Sequence, residues 1–520
     1  MESALSSSEW EDQTMREPII VLGGGPAGST TATFLARRGH FVLLLEKAVF
    51  PRFHVGESLL PLTQRIWDEL GIAVPIEKAG FIKKTAGEIR LGHTPRSTKY
   101  YSSRMDFSNV PRSAAQEKWW SYQVERAAFD HLLLKNASEQ GVRVHEGARV
   151  TGVVLEGQPS VSWTDRHGVS HETKASFVVD ATGRHALIAR RLGLFRKESR
   201  YNTSSVFAHF RNVKWPEGPP GGFINVYMLQ DGWIWFIPQS QGITSVGIVM
   251  NKEGTQAWPR KPSDVLRDVI GRYDYLRERF ESAVQVSPAR ILRNLPYHAE
   301  KLHGKGWALV GDAGFFVDPI HSSGVHLAFY GAKALAEAID ASFQGDSSAL
   351  DRYQALVRRH HQIVRYNVSL YYRVVVRYRI MALLFIRGTG ELFNNWSGPW
   401  LKRINAWSFG HYGRYLFSLS LLWGLANIGR AASFLWYGLT GRPRWGRHGY
   451  PAAQARPIDI PIIENDQTRL GISPHEADGH MDPFVEQVHG KGDRDGKRTA
   501  LAVEAPAMKM AHHMRDTSGA

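Results

Sequence analysis

The sequence predicts a mixed α/β fold with a parallel-sheet domain, an inserted and mostly antiparallel β-sheet, and a C-terminal helical region. Short, continuously apolar runs near the start of the chain alternate with helix-compatible segments, and such runs are typical of parallel strands buried on both faces. Between residues 187 and 290 the pattern changes to short alternating segments, which indicate antiparallel strands. After residue 350 the chain is apolar and helical in pattern.

The composition excludes several kinds of chemistry. The 520 residues are enough for more than one domain and a large core. There is no cysteine, which excludes disulfide bonds, thiolate metal sites, cysteine nucleophiles and cysteinyl cofactor links. The first eighteen residues are polar and of mixed charge and lack the apolar stretch of a secretory signal, so we expect a cytoplasmic protein.

The first predicted elements form a strand–loop–helix–strand unit. Residues 19–22 are a short apolar strand, residues 23–28 read GGGPAG, residues 29–38 are helix-compatible, and residues 41–45 form the next strand. The later elements of this domain are predicted as a helix at 127–140, strands at 143–145, 177–180 and 307–310, and a helix at 325–343.

The glycine loop has the spacing of a dinucleotide-binding site. Gly23 permits a tight turn, Gly25 lets the backbone approach a pyrophosphate, and Gly28 allows close contact between helix and strand. The start of the helix supplies N–H donors and a partial positive charge to the phosphates. Glu46, at the end of the second strand, is placed to accept both ribose hydroxyls, so the unit predicts a bound dinucleotide.

Two later strand ends favour FAD over NAD. Asp180-Ala181-Thr182-Gly183 and Gly311-Asp312-Ala313-Gly314 both follow apolar strands. In such a fold the carboxylate of Asp312 can bind the ribityl chain of a flavin. The start of the following helix, at Val325, can then face the flavin ring. We therefore predict a Rossmann-like FAD-binding domain.

The chain divides into four predicted parts. Residues 1–16 are a flexible N-terminus, residues 17–345 form the FAD-dependent module, residues 346–450 form a basic, aromatic-rich helical region, and residues 451–520 have the composition of a disordered tail. Within the module, the FAD parts are expected at about 17–80, 120–186 and 290–345, and the substrate sheet at about 81–119 and 187–289.

The net charge of +15 is concentrated in one window. Residues 351–450 hold fifteen Lys/Arg residues, two acidic residues and six tryptophans. Such a surface indicates an anionic partner, namely a membrane face, an acidic carrier protein or an acidic substrate, and the alternative is a buried helical cap whose arginines face water. We expect no nucleic-acid partner, because the basic residues lie among apolar runs. Residues 416–439 are long enough to span a membrane, but Arg430 inside them would cost about 2.5–3.5 kcal/mol, so a core or interfacial helix pair is favoured.

Several motifs resemble those of one enzyme family. The segments PRFHVGESLLP (51–61), QVER (123–126), DATG (180–183) and residues 311–326 resemble flavin-dependent halogenases. The likeness is closer to the branch that acts on phenols and pyrroles than to the tryptophan branch, and it covers roughly residues 17–345. The wider superfamily of hydroxybenzoate-hydroxylase-like flavoproteins also contains hydroxylases and polyprenyl reductases. The resemblance implies that Arg126 belongs to the cofactor site.

Three features favour halogenation within that superfamily. The run GWIWFIP (232–238) matches the family's Trp-x-Trp-x-Ile-Pro, which implies that Trp233 and Trp235 stand between flavin and substrate; on a strand they share one face. Lys84 lies where similar enzymes hold the oxidised halogen, although Lys83 is adjacent and the assignment could shift by one residue.

The third feature is the segment DPIHSSGV (318–325), which resembles a halide loop. Successive N–H groups at a helix start form an anion site, and we assign Ser323 and Gly324 to chloride. His321 departs from the family pattern, and its two interpretations are a helix-start cap and a proton donor.

The implied reaction uses reduced FAD, O2 and chloride or bromide to halogenate an electron-rich phenolic or pyrrole-type ring in secondary metabolism. The substrate is a small aromatic, free or bound to a carrier protein. No second dinucleotide loop is present, so a separate flavin reductase is expected to supply the reduced FAD. The rival interpretations are an aromatic hydroxylase, a membrane-surface polyprenyl reductase and a non-catalytic flavoprotein.

Overall fold

The computed structural model describes the N-terminal two thirds of the chain with few gaps. The described residues all belong to one unit, Met1–Ala477, and they are 17–92, 100–106, 120–198, 202–215, 221–229, 232–255, 258, 261–370, 458, 460 and 461. The predicted flexible N-terminus, the basic region beyond residue 370 with its six tryptophans, and almost all of the predicted tail lie outside the described residues.

The described residues contain ten α-helices. They are α1 (Pro26–Ala36), α2 (Gln64–Leu70), α3 (Ala73–Lys78), α4 (Arg126–Glu139), α5 (Leu187–Arg191), α6 (Lys252–Thr255), α7 (Pro262–Arg272), α8 (Asp274–Phe280), α9 (Gly324–Phe343) and α10 (Ala349–Leu370).

The described strands fall into five sheets. They are β1 (Ile19–Leu22), β2 (Val42–Glu46), β3 (Ile82–Lys84), β4 (Ala86–Gly92), β5 (Tyr100–Asp106), β6 (Ser121–Gln123), β7 (Arg143–Glu146), β8 (Arg149–Val154), β9 (Ser160–Thr164), β10 (Ser170–Lys174), β11 (Phe177–Asp180), β12 (Phe195–Lys197), β13 (Ser204–Arg211), β14 (Ile224–Met228), β15 (Gly232–Pro238), β16 (Ile243–Met250), β17 (Val284–Gln285), β18 (Arg290–Leu292), β19 (Tyr297–Ala299), β20 (His303–Gly304), β21 (Trp307–Leu309) and β22 (Phe315–Phe316).

A six-stranded sheet forms the predicted FAD domain, in the order β20-β21-β11-β1-β2-β7. Its strands are parallel except β20, and β1 and β2 are buried along their whole length. Leu22 pairs with Asp180, and Asp180 pairs with Leu309, so three strands end at one edge of the sheet. Helix α1 packs against α9 and α4. This parallel arrangement confirms the predicted α/β class.

An eight-stranded sheet forms the inserted domain, as the alternating pattern predicts. Strands β17, β13, β16, β15, β14, β4 and β5 follow one another, and β18 pairs with β13. All its pairings are antiparallel except that of β14 with β4. Strand β18 lies at the start of the segment expected in the FAD domain, yet it pairs with β13 of this sheet.

The two faces of this sheet pack against different partners. On β15, Ile234 and Phe236 join a core that includes residues of α7 and α8. Trp233 and Trp235 point the other way, into a cluster that partly buried side chains of the FAD domain, including Phe53 and Phe316, also join. The period-two alternation of a strand therefore places the tryptophan pair at the boundary between the two domains.

A small sheet crosses this boundary. Strand β3 pairs antiparallel with β6, and Ser58 forms a β-bridge to Gln123 on the other edge of β6. The segment after the glycine-loop unit is thereby connected to the chain that enters the eight-stranded sheet at β4. Helix α10 is the described part of the predicted C-terminal helical region.

Candidate active site

Two glycines of the first loop are required by the fold itself. Gly23 has φ of +100°, and a Cβ placed there would lie 2.6 Å from the carbonyl oxygen of Ala181. A Cβ at Gly28 would collide with the carbonyl oxygen of Gly23. These contacts bring α1 close to the ends of β1 and β11.

The third glycine, Gly25, is not explained by packing. Its φ is −70°, which any residue adopts. A Cβ there would meet only Arg52 Nη2, at 3.5 Å. A side chain would therefore fit here without a clash, and the predicted role of Gly25, the close approach of a cofactor to this backbone, stays a prediction. A pyrophosphate fits, because the helix start offers N–H donors and positive partial charge.

Arg52 is a candidate phosphate neighbour that the sequence did not single out. Its guanidinium is 3.1 Å from Asp130 and lies beside Gly25. The signal in the sequence was its place in the PRFHVGESLLP motif, but only the fold brings this segment to the glycine loop. Its positive charge suits a pyrophosphate at that position.

Glu46 lies at the end of β2, as predicted, and is buried. Its Oε2 accepts the N–H of Gly24 at 2.6 Å, and its Oε1 accepts that of Ala48 at 2.9 Å. An ionised carboxylate offers about four acceptor positions, so capacity for ribose hydroxyls remains. Its contact with the cofactor stays a prediction.

Arg126 is buried at the start of α4, and its guanidinium donates hydrogen bonds to other residues of this chain. It donates to both carboxylate oxygens of Asp130 at 2.8 and 2.9 Å, and to the carbonyl oxygens of Val55 and Gly56 at 2.8 and 3.2 Å. The structure thus gives Arg126 a role in fixing the loop at 55–56. Its predicted contact with FAD stays a prediction.

Asp312 and the predicted halide residues line one cavity. It is lined by Gly311, Asp312, Phe315, Phe316, Val317, Asp318, Ser323, Gly324, Leu327 and Val364. Burial raises the pKa of Asp312 to about 6, while the charges of Arg184 and Arg126 act in the opposite direction. The cavity brings the predicted flavin-ribityl residue together with Ser323 and Gly324, and Val325 is the second residue of the helix that begins there.

The backbone before α9 has the form of an anion nest. Ser322 is left-handed, with φ of 53° and ψ of 27°, and Ser323 follows with φ of −87° and ψ of −15°. Alternation of left- and right-handed residues makes successive N–H groups converge. A Cβ at Gly324 would meet nothing within 4 Å, so this position is open to a ligand.

Asp318 anchors this loop. Its carboxylate accepts the N–H of Ile320 at 3.0 Å and the hydroxyl of Thr203 at 3.2 Å, which ties the loop to the segment before β13. The side chain of Asp318 therefore caps the short 3₁₀ turn, and Ser323 is the N-cap residue of α9. His321 lies two residues before this N-cap, and its two interpretations, a helix-start cap and a proton donor, stay predictions. Burial lowers the pKa of His321 to about 4, so its imidazole is neutral at pH 7.

The tryptophan pair is rigidly packed. The ring centroids of Trp233 and Trp235 are 5.7 Å apart, and both side chains are buried. Trp235 Nε1 donates to Ser245 Oγ at 3.2 Å. The indole of Trp235 covers Gly247 on the neighbouring strand, where any Cβ would collide with the ring. The pair forms an apolar wall at the domain boundary.

The structure separates the two adjacent lysines. Lys84 is 3% exposed, and its Nζ donates to the carbonyl oxygen of Leu59 at 3.0 Å. Burial lowers the pKa of Lys84 to about 7. The side chain of Lys83 is 53% exposed and lies 3.7 Å from Glu77. Only Lys84 of the pair is a buried amine.

A buried acid–base pair connects the segment that contains Glu57 to strand β13 of the eight-stranded sheet. Glu57 Oε1 lies 2.5 Å from His209 Nε2 on β13, and both residues are buried. Burial alone would raise the pKa of Glu57, but the charge and hydrogen bond of His209 outweigh it, and the pKa is lowered. Glu57 lies in the PRFHVGESLLP motif but had no predicted role, and no local pattern indicates a partner 152 residues away.

The comparison with known families agrees with this geometry. The family model described as tryptophan halogenase matches residues 18–96 and 93–379, which together are more than half of the chain. The chain belongs to the flavin-dependent halogenase family. The halogenase is 31% identical over 398 residues to the 1H-pyrrole-2-carbonyl-(peptidyl-carrier protein) chlorinase of Pseudomonas fluorescens, covering 71% of this chain and 88% of that protein.

Solved structures show the same fold. A flavoprotein/dehydrogenase from Cytophaga hutchinsonii has 27% identity and a TM-score of 0.69, over 80% of the halogenase and 99% of that chain. The myxobacterial chondrochloren halogenase CndH, described as a variant of FAD-dependent halogenases, has 32% identity and a TM-score of 0.62, over 71% and 89%. The halogenase is therefore an FAD-dependent halogenating oxidoreductase, and the hydroxylase and polyprenyl reductase interpretations are not supported.

The described part of the halogenase gives no support to a membrane-spanning helix. None of its described helices is long and apolar enough to cross a bilayer. The apolar stretch at 416–439 lies outside the described residues.

Proposed function

We propose that this halogenase uses reduced FAD, O2 and chloride or bromide to halogenate an electron-rich phenolic or pyrrole-type ring in secondary-metabolite biosynthesis. The observation that carries the proposal is the buried amine of Lys84, which is 3% exposed and whose pKa is lowered by burial to about 7. A lysine without a functional role normally lies at the solvent-exposed surface, where its ammonium group stays hydrated.

We assign the residues near the glycine loop and the lined pocket to the binding of cofactor and halide. When bound, FAD supplies the activation of O2 that oxidises halide to hypohalous acid. Gly25 and Glu46 hold the cofactor's pyrophosphate and ribose, Asp312 its ribityl chain, and Ser323 and Gly324 donate N–H groups to the halide. These assignments are supported by the open space at Gly25 and Gly324 and by the shared cavity.

Beyond the cofactor, two further groups act on the oxidant and the substrate. Trp233 and Trp235 keep the aromatic substrate away from the flavin, so that oxygen is not transferred to the ring directly. Lys84 then holds the hypohalous acid next to the ring, by a hydrogen bond from its ammonium or through its neutral amine, which is the nucleophilic form.

The partners of the reaction follow from its chemistry. A separate flavin reductase supplies reduced FAD. The substrate is a small aromatic, free or tethered to a carrier protein; support for tethering comes from the Pseudomonas fluorescens relative, which by name acts on a carrier-bound pyrrole.

The test is a coupled assay with a matched pair of variants. Purified protein, a flavin reductase, chloride or bromide, and a panel of free and carrier-bound phenols and pyrroles are combined, and products are read by mass spectrometry. Lys84→Ala should consume reduced FAD but form at least about a hundredfold less halogenated product, because about 3 kcal/mol of positioning and activation is lost. Lys83→Ala, which changes an exposed amine, should retain wild-type product. Normal product from Lys84→Ala would contradict the assignment.

A further inference from the structure

The amine of Lys84 lies on a polar face of the small boundary sheet. In the antiparallel pair β3–β6, Lys84 is directly opposite Ser121, and Ile82 is opposite Gln123. Ser58 is bridged to Gln123 from the other side. Directly paired residues share a face, and so do residues two apart on one strand. Ser58, Ser121, Gln123 and Lys84 therefore belong to the same face.

This face is buried, and three of its side-chain polar atoms are unmatched among the described residues. Ser121 and Gln123 are 0% exposed, Lys84 3% and Ser58 6%. Among the described residues, neither serine hydroxyl has a hydrogen-bond partner, and neither does Gln123 Oε1. The amide nitrogen of Gln123 donates to the carbonyl oxygen of Gly222, at 3.4 Å. The Oε1 atom is therefore available to accept a hydrogen bond from a ligand. Each unmatched buried polar atom costs about 1–3 kcal/mol, so three on one face indicate a small polar ligand.

The donors and acceptors define the chemistry of that ligand. Two hydroxyls and the amine can donate to an oxygen, whereas Gln123 Oε1 can only accept. A halide ion offers no donor to Oε1 and would be repelled by it. Hypohalous acid has one O–H donor and one acceptor oxygen, and so satisfies both kinds of group.

We propose that Ser58, Ser121 and Gln123 form, together with Lys84, a binding site that retains hypohalous acid until the aromatic ring is in place. The inference rests on the proposed function, and it assigns three residues to which that function gave no role. Gln123 accepts the O–H of the acid, and the serine hydroxyls and Lys84 supply the donors for the two lone pairs of its oxygen, which leaves the halogen exposed to the ring. No covalent step is required.

One measurement follows the fate of the oxidant during turnover. Ser58→Ala and Ser121→Ala should each continue to oxidise reduced FAD, but hypohalous acid captured by a monochlorodimedone scavenger should rise relative to ring product. For the double variant the ratio should change by about tenfold, as expected for the loss of two neutral hydrogen bonds. Ser162→Ala, on the separate sheet formed by β8, β9 and β10, is the control and should behave as wild type.

A second measurement needs no FAD. Cofactor-free protein is treated with one equivalent of hypochlorous acid, and chlorine on Lys84 relative to Lys83 is quantified at once by peptide mass spectrometry. In the wild-type protein, more chlorine should be found on Lys84 than on Lys83. In the double serine variant, the ratio of chlorine on Lys84 to chlorine on Lys83 should be about tenfold lower. Each variant removes an unpaired hydroxyl, so its melting temperature should be unchanged or higher.

The outcomes separate this site from the proposed function. If the serine variants match wild type in both measurements, the face binds only water and the inference is overturned. If wild type halogenates nothing in the substrate panel, yet Lys84 is still preferentially chlorinated through the serines, the proposed function fails while the binding site stands.

Discussion

At the scale of single residues, Lys84 shows what burial does to a charge. Burial in the small boundary sheet disfavours the ammonium form, since a desolvated charge is poorly compensated. The sequence predicted the importance of this position only through resemblance and left Lys83 as an alternative. The choice between them depends on which side chain faces the interior, and this is set by the pairing of β3 with β6, which no local pattern reveals.

The lowered pKa has a thermodynamic consequence. The pKa of Lys84 is about 7 in the folded chain and about 10.5 in an unfolded one. Between these values the unfolded state binds more protons, so the free energy of unfolding should rise with pH from about 7 to about 10.5. Lys84→Met removes the titrating group, so it should stabilise the protein at pH 6–7, and its advantage should shrink as the pH approaches 10.5.

Urea unfolding of wild type and Lys84→Met at several pH values measures this difference. Lys83→Met is the matched control, and its stability difference from wild type should not depend on pH over the same window. A constant advantage of Lys84→Met at every pH would show that the amine is not desolvated in solution.

At the scale of elements, the strand and helix bounds predicted from the sequence lie close to the observed ones. Strands Ile19–Leu22 and Phe177–Asp180 have the predicted bounds, and the other predicted strands differ by one residue at one or both ends. The first helix was predicted from residue 29 but begins at Pro26, because proline is favoured in the first turn, where its missing N–H costs nothing. Contacts between distant segments, such as Arg52 beside Gly25, were not predictable, because they arise only when separate elements meet.

The glycine loop supports a prediction that separates fold from cofactor. Gly25→Val should weaken FAD binding at least a hundredfold while the melting temperature of the cofactor-free protein changes by no more than about 2 °C, because its side chain would fill open space. Gly28→Val should instead destabilise the fold, because its side chain collides with the carbonyl oxygen of Gly23. FAD titration by flavin fluorescence and thermal unfolding of both variants provide the comparison. Unimpaired FAD binding by Gly25→Val would show that the pyrophosphate does not bind at this loop.

At the scale of the whole molecule, charge is distributed unevenly. The window 351–450 carries fifteen basic against two acidic residues, and of this window the structure describes only residues 351–370, in α10. Its predicted role in binding an anionic partner therefore stays a prediction. The sequence could identify the charge, but the surface it forms depends on residues outside the described ones.

This charge predicts a salt-sensitive association. We expect acidic carrier proteins to bind at low ionic strength and to be released at high salt, since exposed charges are screened over about 8 Å at physiological ionic strength. Pull-down with carrier proteins and sedimentation with anionic vesicles, each at low and high salt, measure it. Binding to vesicles alone would indicate a lipophilic substrate delivered from the membrane. No binding to either would leave the arginines as a solvated surface.

The parallel sheet also dictates an order of events during synthesis. The sheet edge at which we propose that FAD binds is complete only when Leu22, Asp180 and Leu309 lie side by side. At about 5–20 residues per second, a ribosome needs tens of seconds to reach the last of these strands. Until then the apolar strands β1 and β2 have no finished sheet to enter, so the nascent chain should require a chaperone. Ribosome-stalled chains should gain FAD-dependent protease resistance only after β21 has left the exit tunnel.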